Sequence, residues 1–157
     1  MIYVFDTSSF RVLRHYYPDR FPSVWVGIQE LVASGQLVST REVFNELERF
    51  DDPGPILEWA KNHRDIFATP TNEETEFVAR IFLVQHFQTL IAQKSILTGR
   101  PVADPFVVAA AATKDQGIVV TQESFKENAA KIPNVCQHFG VQCVNLEEFM
   151  AHQDWNF

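Results

Sequence analysis

Short apolar segments alternate with amphipathic helical segments along the whole chain, and this pattern most constrains the fold. The apolar segments of strand length are Ile2–Phe5, Gln36–Ser39, Ile66–Thr69, Ile118–Val120 and Val141–Val144. Such an alternation predicts parallel strands joined by right-handed helical crossovers. We therefore predict a single α/β domain over residues 1–157, a three-layer sandwich with a mainly parallel central sheet of about five short strands and helices on both faces.

Helical periodicity and capping signals mark the connecting segments. The predicted helices run from Ser23 to a stop at Gly35, from a Ser39–Glu42 capping box to Arg49 or Phe50, from Pro55 past Trp59, from Asn72 to about Ile96, from Phe106 to Lys114 with Asp104 as N-cap and Gly117 as stop, and from Leu146 through Met150. We expect Asp6–Ser9 to be a polar loop after the first strand.

Composition and charge limit the classes of function. Thirteen Lys and Arg against twenty Asp and Glu give a net charge of −7, which argues against broad electrostatic attraction to nucleic acid but allows a local basic rim. No apolar stretch is long enough to cross a bilayer and the N-terminus carries no export signal, so we expect a cytoplasmic protein without a membrane partner. Cys136 and Cys143 are expected to be reduced structural thiols, with a zinc site a remote alternative.

Four carboxylates in distant segments are candidates for chemistry. Asp6 and Glu123 each follow an apolar strand, so the fold places both at the same end of the sheet, where ligands bind in such folds. Asp104 starts a predicted helix, and Glu46 lies in the helix after the second strand. Several carboxylates held close together repel one another unless a cation neutralises them.

Each of these acids also has an ordinary structural explanation. Asp6 suits an Asx turn, Asp104 an N-cap, Glu46 a solvated helix face, and Glu123 a turn after a strand. The functional interpretation therefore depends on all four acting together. Oxygen-only ligands favour Mg²⁺ or Mn²⁺ over Zn²⁺, and one or two such ions would activate water for phosphodiester cleavage.

The sequence resembles the PIN-domain ribonucleases over nearly its whole length. The resemblance lies in the order and spacing of Asp6-Thr7-Ser8, Glu46-Leu47, Ala103-Asp104-Pro105-Phe106 and Val120-Thr121-Gln122-Glu123. The segments 131–136 and 139–141 look like a PIN-like subfamily of bacterial and archaeal proteins. The sequence departs from the family pattern at Glu123, where Asp is usual, and this puts a second metal ion in doubt.

The resemblance implies a Mg²⁺- or Mn²⁺-dependent endoribonuclease, often the toxin of a toxin–antitoxin pair and often a homodimer. Asp6, Glu46, Asp104 and Glu123 would then be catalytic metal ligands, directly or through water, supported by hydrogen bonds from Ser8 and Thr121. RNA would be the substrate and an antitoxin protein the partner.

Basic residues near the acids form a candidate RNA-contacting rim. They are Arg11, Arg14, Arg41 and Arg100. Solvated charges or antitoxin contacts explain them equally well.

Two other functions stay open: a PIN-like RNA- or protein-binding domain with weak or no catalysis, and phosphoryl transfer with Asp6 as nucleophile. Phosphoryl transfer ranks low because the common phosphatase arrangement has a second acid two residues after the nucleophile, and here that residue is Ser8.

Overall fold

A five-stranded, all-parallel β-sheet forms the centre of the fold. The structure is a computed structural model, and it describes residues 1–52, 54–88 and 102–157. The strands of this described part are β1 (Ile2–Phe5), β2 (Leu37–Thr40), β3 (Phe67–Ala68), β4 (Gly117–Val120) and β5 (Gln142–Val144). They lie in the order β3-β2-β1-β4-β5. With helices packed around it, the sheet makes the predicted three-layer α/β sandwich.

The helices connect successive strands and cover the sheet. They are α1 (Thr7–Leu13), α2 (Pro22–Ala33), α3 (Arg41–Leu47), α4 (Ile56–Asn62), α5 (Asn72–Leu83), α6 (Asp104–Ala112), α7 (Ile132–Phe139) and α8 (Leu146–His152), with a short 3₁₀ turn at Arg64–Ile66 and further helical residues at 85–88. Across the described ranges, no helix has the length and apolarity that a bilayer span requires.

The strand order reverses at the centre of the sheet. β1 pairs with β2 on one side and with β4 on the other. Phe5 is level with Val120, so β1 and β4 end side by side. In open parallel sheets this reversal leaves a crevice beyond the carboxyl ends of the strands, which is where ligands bind.

Helix α6 packs across β1, β2 and β4. Ala109, Ala110 and Ala111 are all buried, and their small side chains allow the helix backbone to approach the sheet closely. At Gly117 the approach is closest, because a β-carbon there would overlap the Ala111 carbonyl.

The segment expected as a polar loop after β1 is the first turn of a helix. Asp6 is the N-cap of α1, with an extended backbone and a side chain that accepts the Ser9 N–H. The prediction was wrong because small polar residues favour turns and N-caps alike, and only the packing of Phe10 and Leu13 into the core selects the helix.

The predicted capping box at the start of α3 was wrong by one residue. Thr40 is the N-cap and accepts the Val43 N–H. Ser39 is a residue of β2, and its hydroxyl donates to the Phe5 carbonyl at 2.7 Å. The helix then ends at Leu47, before the predicted end at Arg49 or Phe50.

Three other helix boundaries also differ from the prediction. Asp104 is the first residue of α6 and Ala103 its N-cap, without a side-chain capping bond. Gly117 begins β4 and does not end α6. The helix predicted from Asn72 to Ile96 ends at Leu83 because Val84 is extended, and its part beyond residue 88 lies outside the described residues.

Helix α7 has no counterpart among the predicted helices, although its ends carry recognisable signals. Pro133 lies in the first turn, and Gly140 ends the helix with φ at 68°, a conformation that glycine adopts without steric cost.

The close approach at Gly117 predicts a large effect of adding one methyl group. Gly117→Ala should lower the free energy of unfolding by about 1–3 kcal/mol, because the helix backbone must shift to admit the β-carbon. Gly35→Asn is the control, since nothing lies within 4 Å of a β-carbon there and Asn tolerates its left-handed backbone. Urea denaturation measures both. Equal losses in the two variants would contradict the packing argument.

Candidate functional site

Asp6 is a buried carboxylate at the carboxyl end of β1, with four hydrogen bonds to its two oxygens. Its residue is only 4% exposed. Oδ1 accepts the Ser9 N–H at 2.9 Å, and the Ser8 hydroxyl lies 2.9 and 2.8 Å from Oδ1 and Oδ2. The Thr121 hydroxyl donates to Oδ2 at 2.6 Å. The predicted supporting residues Ser8 and Thr121 therefore both contact Asp6.

The loop after β4 is held to this carboxylate through the same two hydroxyls. The Gln122 N–H donates to Ser8 Oγ at 2.9 Å, and the Glu123 N–H donates to Thr121 Oγ1 at 3.1 Å. A hydroxyl that accepts a hydrogen bond donates more strongly in turn. The backbone of residues 121–123 is thus coupled to Asp6.

Burial decides the protonation behaviour of Asp6. Loss of solvent raises the pKa of this carboxyl to about 6, although the hydrogen bonds from Thr121, Ser8 and Ser9 act in the opposite direction. A carboxylate that is this costly to ionise, placed where the strand order reverses, is typical of functional sites.

Glu46 and Asp104 form a second acidic group, next to Asp6. The Thr7 hydroxyl donates to Glu46 Oε2 at 3.0 Å, and the Ala103 N–H donates to Oε1 at 3.3 Å. Burial, and then the negative charge of Asp104, raise the pKa of Glu46. The structure therefore brings Glu46 and Asp104 near each other. Thr7, the residue that follows Asp6, connects Asp6 with Glu46.

Sequence reasoning assigned no role to Thr7. Its hydroxyl is nevertheless the direct link between α1 and Glu46. The available signal was its position beside Asp6 in the first turn of a helix whose end faces the site.

Glu123 lies at the same edge of the sheet but is directed at a helix. Its Oε2 accepts the Ile132 N–H, the first of α7, at 2.8 Å. The N-cap residue of that helix, Lys131, makes no side-chain capping bond. Glu123, nine residues before Ile132, therefore caps the helix in its place. A carboxylate is favourable there because helix N-termini carry partial positive charge.

Cys136 and Cys143 lie together below the site as free thiols. A hydrogen bond to Cys143, burial, and the nearby charges of Asp6 and Glu123 raise the pKa of Cys136 far above its ordinary value. Cys136 is therefore a neutral, buried thiol, as expected for a structural residue.

The candidate RNA-contacting arginines have protein partners where the structure describes them. Arg11 stacks over Phe50 with its guanidinium carbon 4.9 Å from the ring centre. Arg14 donates to the Asp52 carbonyl at 3.0 Å, and Arg41 pairs with Glu42 at 2.7 Å. Arg100 lies outside the described residues.

The predicted ligand set is only partly gathered. Among the described residues, no group of three or more Asp, Glu, His or Cys side chains is arranged to hold a metal ion. The charge of Asp104 acts on Glu46, Thr7 next to Asp6 donates to Glu46, and Glu123 accepts from the first N–H of α7.

Fold and site together define an α/β protein with acidic side chains at the carboxyl edge of an all-parallel sheet. Residues 3–157 match the family described as a domain of unknown function, DUF4411, so the chain belongs to that family. No curated protein and no solved structure matches the chain.

The raised pKa of Asp6 predicts a pH dependence of stability in metal-free protein. A carboxyl whose pKa rises from 3.8 to about 6 on folding stabilises the folded state most below pH 3.8, and this contribution is lost as the pH rises through 6. Between pH 4 and 8 the wild type should lose about 2–3 kcal/mol more than Asp6→Asn. Urea denaturation in EDTA across this range measures the difference, and parallel profiles would refute it.

The contact between Glu123 and α7 predicts a capping effect. Glu123→Ala should lower the free energy of unfolding by about 1 kcal/mol, whereas Glu123→Gln, which retains an acceptor oxygen, should lose much less. Glu127→Ala is the control, because this exposed acid lies in the same loop. Thermal or urea unfolding separates the three. If Glu123→Ala is as stable as the control, Glu123 is not a cap.

Proposed function

We propose that this protein is a Mg²⁺- or Mn²⁺-dependent endoribonuclease of the PIN-like type, cytoplasmic and acting as the toxin of a toxin–antitoxin pair. One observation carries the proposal: a buried Asp6, with its pKa raised to about 6, lies where the strand order reverses and next to the Glu46–Asp104 pair. The antitoxin and the homodimer enter the proposal from the resemblance to PIN domains alone.

The chemistry of the donor set fits a hard divalent cation. Asp6, Glu46 and Asp104 offer only oxygen ligands, which suits Mg²⁺ and Mn²⁺. The repulsion that raises the pKa of Glu46 is also the kind of unfavourable pairing that a cation relieves. Because these side chains are not gathered into a ligand group among the described residues, they would have to draw together to hold one ion. When bound, that ion would supply an activated water and neutralise charge on the leaving oxygen.

The residues of the chain orient this acidic site. Ser8, Ser9 and Thr121 fix the plane of the Asp6 carboxylate. Thr7 and the Ala103 N–H each hold one oxygen of Glu46. These hydrogen bonds orient the Asp6 and Glu46 carboxylates individually before any ligand binds.

Glu123 enters the proposal as a positioning residue. Its Oε2 accepts the Ile132 N–H at 2.8 Å, which directs this carboxylate toward the start of α7. Its backbone N–H donates to Thr121, and Thr121 in turn holds Asp6. We therefore propose one ion at this site in place of the two that the family resemblance allows.

A PIN-like binding domain with weak or no catalysis is the second candidate. The contact of Glu123 with α7 favours it, because the fourth acidic position of the family pattern here supports a helix. The net charge of −7 also favours a protein partner over a polyanion.

The proposal predicts that metal binding and RNA cleavage both depend on Asp104. Mn²⁺ added to metal-stripped protein should raise the melting temperature of wild type but not of Asp104→Asn, because a ligand stabilises only the state that binds it. Cleavage of a mixed RNA pool in Mn²⁺ should be lost in Asp104→Asn and in Asp6→Asn. Asp115→Asn is the control, since Asp115 is an exposed acid at the other end of α6.

Each outcome of this experiment has a defined meaning. Cleavage that survives both Asp6→Asn and Asp104→Asn would overturn the proposal. RNA or protein binding in EDTA, without cleavage of any RNA in Mn²⁺, would establish the second candidate. A wild type that does not respond to millimolar Mn²⁺ would show that the acids serve structure alone.

A further inference from the structure

A pocket of about 530 Å³ lies between α1, α8 and residues 154–157. Its lining includes the side chains of Tyr16, Met150, Trp155 and Phe157. Phe21 extends this apolar surface, because its ring centre lies 5.1 Å from that of Tyr16. We call these five residues the C-terminal patch.

The C-terminal patch leaves large apolar side chains in contact with solvent. Phe157 is 67% exposed and Phe21 is 39% exposed, while Tyr16, Met150 and Trp155 are half-buried. Contiguous exposed apolar surface marks interaction sites, and aromatic residues and methionine are enriched where proteins contact one another. The composition of the patch therefore favours a protein partner.

Packing against α2 holds the wall of the patch in place. A β-carbon at Gly27 of α2 would overlap the ring of Trp155, so this ring lies directly on the helix backbone. The same ring also meets Phe149 edge to face, with the ring centres 5.5 Å apart. On the other side of the pocket, the Tyr16 carbonyl accepts the indole N–H of Trp25. Side chains that are already fixed in the free protein lose little conformational freedom on binding.

The two elements that frame the patch carry carboxylates and neither lysine nor arginine. Helix α2 contains Glu30, and residues 145–157 contain Glu147, Glu148 and Asp154. Two of these acids, Glu147 and Asp154, line the pocket itself. Nucleic acid or an acidic lipid surface would be repelled here, whereas a cationic partner is attracted.

Basic residues in the neighbouring segments leave this negative rim in place. The guanidinium groups of Arg11 and Arg14 are directed toward Phe50 and the Asp52 carbonyl, and none of these residues lines the pocket. In the loop before α2, Arg20 directly follows Asp19, so this pair adds no net charge.

We propose that the C-terminal patch docks a basic segment of a partner protein, with apolar side chains against Trp155 and Phe157 and with Lys or Arg side chains beside Glu147 and Asp154. An apolar centre within a charged rim is the usual arrangement of a protein interface. Gln122 also lines the pocket, and its N–H donates to Ser8 Oγ, so the partner would lie next to the acidic site. This inference does not rest on the proposed nuclease activity, because neither metal nor RNA takes part in the docking.

Two amphipathic peptides test the chemistry of the partner. One is a short helical peptide of leucine and lysine with its leucines on one face, and the other has every lysine replaced by glutamate. Calorimetry in EDTA should show saturable binding of the lysine peptide with a Kd on the order of 10 μM, weakened by added salt, and binding of the glutamate peptide at least about tenfold weaker. Equal binding of the two peptides would overturn the role of charge, and no binding of either would overturn the docking surface.

Matched variants test the location of the docking surface. Phe157→Ala should weaken binding of the lysine peptide by about 5- to 30-fold, as the loss of an interface anchor does. Leu83→Ala is its control, because Leu83 is 84% exposed and does not line the pocket. Glu147→Lys should weaken binding by about 3- to 10-fold, and Glu73→Lys is its control, since both acids are exposed in the first turn of a helix.

Backbone amide shifts in ¹⁵N-labelled protein complete the test. With the lysine peptide, the largest shifts should fall in residues 12–16 and 146–157, which include most of the pocket lining. Shifts spread over the acidic surface, or affinities that fall equally in each variant and its control, would overturn the proposal. RNA cleavage in Mn²⁺ is measured separately, so loss of the nuclease proposal would leave this result unchanged.

Discussion

The burial of the Asp6 carboxylate is the constraint on which the functional edge of this protein depends. A buried carboxylate is unfavourable unless donors surround it, and here Ser8, Ser9 and Thr121 provide them. These contacts join the end of β1, the first turn of α1 and the end of β4. The pKa nevertheless stays raised, so the compensation is incomplete. A buried acid with a raised pKa is typical of functional sites.

Helices α1, α7 and α8 begin at this edge of the sheet, and acceptors from its loops bind N–H groups in their first turns. Asp6 accepts from α1, Glu123 from Ile132 of α7, and Gln122 Oε1 from Leu146 of α8 at 2.7 Å. The partial positive charge of helix N-termini offsets part of the negative charge gathered here. Residues 121–123 connect the acidic site with α7, because Thr121 donates to Asp6 and Glu123 accepts from Ile132.

The acidic edge and the overall charge of −7 together limit how this protein would hold a polyanion. Repulsion excludes a broad electrostatic attraction, since that binding grows with the number of phosphates neutralised. A divalent cation at Asp6, Glu46 and Asp104 would neutralise most of the local negative charge. Arg11, Arg14 and Arg41, the described members of the candidate basic rim, have protein partners.

Local sequence patterns were enough to predict the α/β class, the strand positions to within a residue, and the placement of Asp6 and Glu123 at one edge of the sheet, because strand periodicity and parallel topology depend on such patterns. Which polar residue caps which helix depends on how the elements pack in three dimensions. Ser39 and Thr40 are equal candidates in sequence, but the position of Ser39 beside Phe5 in the sheet assigns its hydroxyl to a carbonyl there. Glu123 likewise reads as a ligand in sequence, and contact with Ile132 makes it a cap. The reason is physical: a carboxylate or hydroxyl takes whichever donor or acceptor packing brings within about 3 Å, and packing is not encoded in spacing along the chain.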